Sequence, residues 1–135
     1  MPAETRGRVL VVDDEPDAAL TLTTLLSLGG YSARACHDGP TALALAAKLR
    51  PTACVLDIMM PGMDGFELAR RLRAILGQEV VLVAVTGRSG DEPERLAEAA
   101  GFDWFFTKPA DPDELLVALA VPADSTDDHT PLRPE

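Results

Sequence analysis

Short apolar runs punctuate the chain, and each is followed by a stretch with helical spacing. RVLVV (8–12), ACVL (53–56) and VVLVAV (80–85) are rich in β-branched residues and continuously apolar. Strands covered on both faces read this way, as in a parallel sheet sandwiched between helices. YSARAC (31–36) alternates more and suits a strand nearer an edge, and WFFT (104–107) makes a fifth. Between these runs, Ala18, Leu22, Leu25, Leu26 and Gly29 recur every three or four residues, and Gly29-Gly30 stops that helix. Ala42 to Leu49 gives a second helix, ended by Pro51. Phe66, Ala69, Leu72 and Leu76 give a third, closed by Gly77. Glu94 to Ala100 reads as a fourth before Gly101, and Asp113 to Val121 as a fifth. The acids that open the fifth are favourable at a helix N-terminus. Five alternations of strand and helix predict an α/β sandwich with right-handed crossovers.

Composition narrows the picture. A length of 135 residues suits one domain. Hydrophobic residues make up 47% and aromatics only 4%, so the core is expected to be aliphatic. The net charge of −10, from 22 acids against 12 bases, argues against direct nucleic-acid binding and against docking on anionic membranes. No apolar run reaches the roughly 18 residues of a membrane span, and no hydrophobic signal segment opens the chain. Cys36 and Cys54 both fall in predicted strands without metal-ligand spacing, so two buried reduced thiols and a cytoplasmic location are expected. Residues 1–7 read as a lead and 8–121 as the folded domain. Residues 122–135, with three prolines and a net charge of −3, read as a disordered tail.

In an open parallel sheet, ligands bind outside the carboxyl ends of the strands. Strand 1 ends in Asp13-Asp14, strand 3 in Asp57, strand 4 in Thr86-Gly87 and strand 5 in Lys108-Pro109. Each has a plainer role available. Asp13 and Asp14 favour the start of a helix, Asp57 and Thr86 suit turns, and Lys108 suits a solvated surface. The alternation nevertheless places all five on one rim. Three carboxylates there would repel, each close pair by roughly 4 kcal/mol at 4 Å and an effective dielectric near 20. A divalent cation and Lys108 would offset that, and all-oxygen ligands with open water positions suit Mg²⁺.

VLVVDDEP, VLDIMMPGMDG, VAVTG and FFTKP, in this order and spacing, resemble a response-regulator receiver domain of two-component signalling. The resemblance covers about residues 8–120 and implies a (βα)5, flavodoxin-like doubly wound parallel sheet in strand order 2-1-3-4-5. It further implies that Asp57 accepts a phosphoryl group from a histidine kinase or a histidine phosphotransfer protein. Asp14, Asp57 and the Met59 backbone carbonyl would be direct Mg²⁺ ligands, with Asp13 acting through water. Lys108 would pair with a phosphoryl oxygen, next to a cis Lys108-Pro109 bond. Thr86 and Phe105 would form a switch, the ring moving inward and reshaping the face of helix 4, strand 5 and helix 5 for a downstream protein target.

Met59 and Arg88 would flank the phosphoryl group, and Met59 offers no hydrogen bond to orient a water, so slow loss of phosphate is expected. Trp104 is expected to pack in the core or face a partner. Helix 5, LLVALAV, is apolar all round, which points to a homodimer or a docking surface. The expected role is signalling, not enzymatic turnover. A receiver segment of a longer hybrid histidine kinase is an alternative. A haloacid-dehalogenase-type phosphatase is a remote one, since Met59 occupies the place of that class's second acid.

Overall fold

The computed structural model describes residues 6–87 and 90–120. The tail 122–135, Val121 and Arg88 lie outside the described residues, as does most of the lead. Five strands and five helices alternate: β1 (Arg8–Val12), α1 (Pro16–Leu28), β2 (Ser32–Cys36), α2 (Gly39–Leu49), β3 (Ala53–Asp57), α3 (Gly65–Leu76), β4 (Val81–Thr86), α4 (Asp91–Ala100), β5 (Trp104–Thr107) and α5 (Pro112–Ala120). The strands form one parallel sheet in the order β2-β1-β3-β4-β5.

The continuous apolar runs explain the layering. Every residue of β3 and of β4 is buried, while β2, at the edge, alternates. Side chains of one strand point alternately to opposite faces. Leu10, Val12, Cys54, Leu56, Leu82 and Ala84 therefore pack under α2, α3 and α4, whereas Val9, Val11, Val55, Val83 and Val85 pack with α1 and α5. Each fully buried Val or Leu contributes roughly 1.5–3 kcal/mol. A one-residue slip in register would exchange the two cores, so the pairing is firmly specified.

Element ends differ modestly from the sequence reading. Tyr31 and Val80 are buried but lie just before their strands, and Asp57 and Thr86 are the last residues of β3 and β4. Helix α2 begins earlier than its apolar spacing shows, because Asp38 caps it by accepting from the Thr41 amide at 2.8 Å. Helix α4 begins at Asp91 and carries Pro93 in its first turn, where a missing N–H costs little.

Arg73 was invisible to sequence reading. From the last turn of α3 its guanidinium donates to the carbonyls of Val80 (2.7 Å), Gly77 and Gln78 (both 3.3 Å) and Gly101, and to Asp103 Oδ2 at 3.2 Å. Asp103 Oδ2 in turn accepts from the Leu82 amide at 2.9 Å. One side chain thus ties α3 to the segments entering β4 and β5, at the sheet edge away from the acids.

Candidate functional site

β1 and β3 are neighbours in the sheet, yet β1 leads in sequence to β2 on its other side. The crossovers diverge there and leave a crevice at the carboxyl ends of both strands. Asp13 follows β1 and Asp57 ends β3, so register alone brings them to the same crevice. Oxygen atoms of Asp13, Asp14 and Asp57 all lie within 4.8 Å of one another. Asp13 and Asp57 are buried, and Asp14 is exposed. Lys108 reaches across from the end of β5, its Nζ 3.2 Å from Asp13 Oδ2 and 3.7 Å from Asp57 Oδ1.

Local backbone bonds hold these groups in place. Asp13 Oδ1 accepts from the Glu15 amide at 3.0 Å, and Asp57 Oδ1 from the Met59 amide at 3.3 Å. The Lys108 amide donates to the Thr86 carbonyl at 2.7 Å, and the Lys108-Pro109 bond is cis, as the sequence led us to expect. The loop after β3 closes on Gly65, whose amide donates to the Ile58 carbonyl at 2.9 Å. A Cβ on Gly65 would stand 2.6 Å from Ile58 Cα and 2.7 Å from the Asp57 carbonyl oxygen, so only glycine fits against the strand that carries Asp57.

The electrostatics follow from crowding. Burial, and then the charge of Asp13, push Asp57 up to about 6, while Lys108 and the Met59 amide pull the other way. For Lys108, burial alone would favour the neutral amine, but Asp57 and Asp13 outweigh it and raise its pKa. Three acids face one base, and the excess negative charge asks for a cation. The carboxylate oxygens are close enough, and of the right hard-oxygen chemistry, to close on Mg²⁺ with little movement. The residues fit the metal.

A groove of about 600 Å³ opens beside the acids, walled by Leu22 and Leu25 of α1 and by Pro109, with Asp57 and Lys108 at its head. On the other flank a notch of about 150 Å³ is lined by Met59, Phe66, Thr86 and Leu96.

Residues 9–120 match the model of the response regulator receiver domain. The chain belongs to that family. Its receiver is 39% identical over 112 residues to response regulators named MprA from Mycobacterium avium and Mycobacterium tuberculosis, covering 83% of this chain and 49% and 48% of theirs. The chain therefore spans about half the length of the curated relatives it matches. Among solved structures, the receiver superposes on chemotaxis protein CheY4 of Vibrio cholerae with a TM-score of 0.79 and 30% identity, covering 87% of this chain and 97% of that one. A response regulator from Burkholderia pseudomallei, with a phosphorylated aspartic acid, a calcium ion and citrate, gives a TM-score of 0.77 at 28% identity, covering 83% and 65%. Receiver domains accept phosphate from histidine kinases and bind Mg²⁺ at an acidic pocket.

The structure places the other sequence-predicted residues as follows. Thr86 is fully buried at the end of β4, within the notch that Met59 lines. Phe105 is also buried, opposite Ala84 in the ladder and packed with Ala97 and Ala100 of α4. Its ring belongs to the core that α4 covers, on the strand beside the one that ends in Thr86. Trp104 is half-buried and stacks on Phe106 at 6.5 Å between ring centroids. In α5, Leu115, Ala118 and Leu119 are buried, and Val117 is exposed. No helix among the described residues is long and apolar enough to cross a membrane.

His37 escaped the sequence reading. Its Nδ1 lies 3.0 Å from the Asp13 carbonyl oxygen. The signal was present, since His37 follows β2 directly and β2 pairs with β1 up to Val12↔Cys36.

Proposed function

We propose that this receiver is a phosphorylation-controlled binding module in which Asp57 takes a phosphoryl group from a phosphohistidine on a kinase or phosphotransfer protein. The observation that supports it most is the convergence of Asp13, Asp14 and Asp57 oxygens within 4.8 Å of one another, with Lys108 Nζ bridging two of the carboxylates. In the transfer, an Asp57 oxygen forms a bond to phosphorus as the phosphorus–nitrogen bond breaks, and the imidazole leaves with the electron pair. Asp14, Asp57 and the Met59 carbonyl would hold Mg²⁺, with Asp13 acting through water. Bound there, the ion would offset charge on the phosphoryl oxygens. Lys108, whose Nζ stands beside Asp13 and Asp57, would pair with the same oxygens.

The new charge beside Thr86 is the switch signal. Thr86 and Phe105, both buried on neighbouring strands, carry the switch: the Thr86 hydroxyl turns toward the new group and the Phe105 ring moves into the space behind it. A changed α4–β5–α5 surface then controls binding of a downstream protein. The groove along α1 offers aliphatic contacts beside Asp57 for the phosphodonor protein.

Acetyl phosphate with Mg²⁺, followed by intact mass, tests the reading. One added phosphoryl group is expected, lost in Asp57→Ala and on chelation of the metal. Label that persists in Asp57→Ala refutes the assignment.

A further inference from the structure

The run MMPGM puts three methionines within five residues, and the fold treats their sulfurs differently. Met60 is buried in the core under α2–α4. Met63 is packed against the same core, and a Cβ on Gly39 would stand 2.6 Å from its Sδ, which measures how tightly that sulfur is held against α2. Met59 is 51% exposed. The two thiols offer no competition. Cys36 and Cys54 are buried, and burial pushes them up to about 11 and about 12, far from the thiolate that oxidants attack. Among the described residues, Met59 is thus the most exposed of the sulfur-bearing side chains, ahead of the half-buried Met63.

Its position gives that exposure a consequence. The Met59 amide donates to Asp57 Oδ1, and its side chain lines the notch that also holds Thr86. As a thioether it is a poor hydrogen-bond acceptor. As a sulfoxide it would present a strong acceptor oxygen at the edge of the phosphoryl pocket.

We propose that Met59 is a reversible oxidation site through which hydroperoxides shorten the lifetime of the phosphoryl group on Asp57. The thioether sulfur attacks the peroxide, the O–O bond breaks, sulfur gains one oxygen and loses two electrons, and hydrogen peroxide leaves as water. The sulfoxide oxygen then accepts a hydrogen bond from a water beside the phosphoryl group and orients it for attack. Methionine sulfoxide reduction restores the apolar flank. The effect on lifetime rests on the phosphoacceptor role of Asp57; the choice of sulfur does not.

The test treats the full chain with hydrogen peroxide and maps the oxidised residue by fragmentation of the MMPGM peptide. Met59 is expected to oxidise well ahead of Met60 and Met63; equal or later oxidation of Met59 overturns the proposal. Phosphate loss is then followed by intact mass after labelling with acetyl phosphate. One added hydrogen bond to the attacking water is expected to speed loss roughly fivefold. Met59→Gln, which carries an amide oxygen in that place, should lose phosphate faster than the wild type without peroxide. Met59→Leu should keep the same lifetime with and without it. An unchanged lifetime in oxidised wild type, or an equal acceleration in Met59→Leu, overturns the proposal while the phosphoacceptor reading stands. Failure of the unoxidised protein to label would instead defeat that reading, and the lifetime effect with it.

Discussion

Replacing Asp57 by Asn should stabilise the metal-free protein, and the size of the gain can be worked from the site. Asp57 is 6% exposed and shares its crevice with Asp13 and Asp14. Burial and Asp13 raise its pKa from 3.8 to about 6 in the fold. A raised carboxyl binds more protons folded than unfolded across that window. Stability is therefore fully present below about pH 4 and is lost as the pH rises through about 6. The shift, which already includes the Lys108 attraction, converts to about 3 kcal/mol as an upper bound, and solvent at the pocket mouth reduces this to about 1–2 kcal/mol.

Asp57→Asn keeps the shape and removes the charge. Urea titrations of both proteins with chelator should show the variant more stable by about 1–2 kcal/mol at pH 7, roughly 3–8 °C in Tm. The gain should vanish near pH 4, where the wild-type acid is neutral. Adding Mg²⁺ should close the gap from the other side by stabilising the wild type more. A variant no more stable at pH 7, or a gain that persists at pH 4, would refute the account of charge crowding.

Four further outcomes follow from the contacts. Arg73→Ala should cost about 2–4 kcal/mol in denaturant unfolding, because it takes this donor from the Val80 and Gly101 carbonyls and leaves the part-buried Asp103 without its cation. Arg71→Ala, which breaks only an exposed pair with Glu67, should cost under about 0.5 kcal/mol by the same method. Gly65→Ala should both destabilise the fold and impair labelling by acetyl phosphate, since the new methyl meets backbone at 2.6–2.7 Å beside Asp57; thermal melts and intact mass check the two effects. Lys108→Ala should slow labelling by about tenfold or more, and Lys108→Arg should not restore it, because a forked guanidinium does not fit where a compact ammonium bridges two carboxylates.

The sequence alone determined the layered α/β fold and the rim on which the chemistry sits. Continuous β-branched runs can be satisfied only by strands covered on both faces, and polar residues that follow such runs must emerge at the carboxyl edge of the sheet. That is why Asp13, Asp14, Asp57, Thr86 and Lys108 were legible together, and why the ordered motifs named the family before any coordinates. Helix starts were less legible, because caps such as Asp38 act through one local bond and leave no periodicity.

Only the tertiary structure decided which groups touch. Lys108 lies 95 positions from Asp13, and no spacing rule predicts a 3.2 Å contact between them. Arg73 reads as one more base on an amphipathic helix, until folding delivers four carbonyls and an acid to it. Phe105 reads as one aromatic of a short strand, and only the fold shows it buried in the core that α4 covers. MMPGM reads as three equivalent sulfurs, and only the turn closed by Gly65 leaves Met59 outside while burying Met60. The physical reason is common to all four. Pattern along a chain fixes which face a residue presents, whereas contact and exposure depend on what distant segments bring to that face.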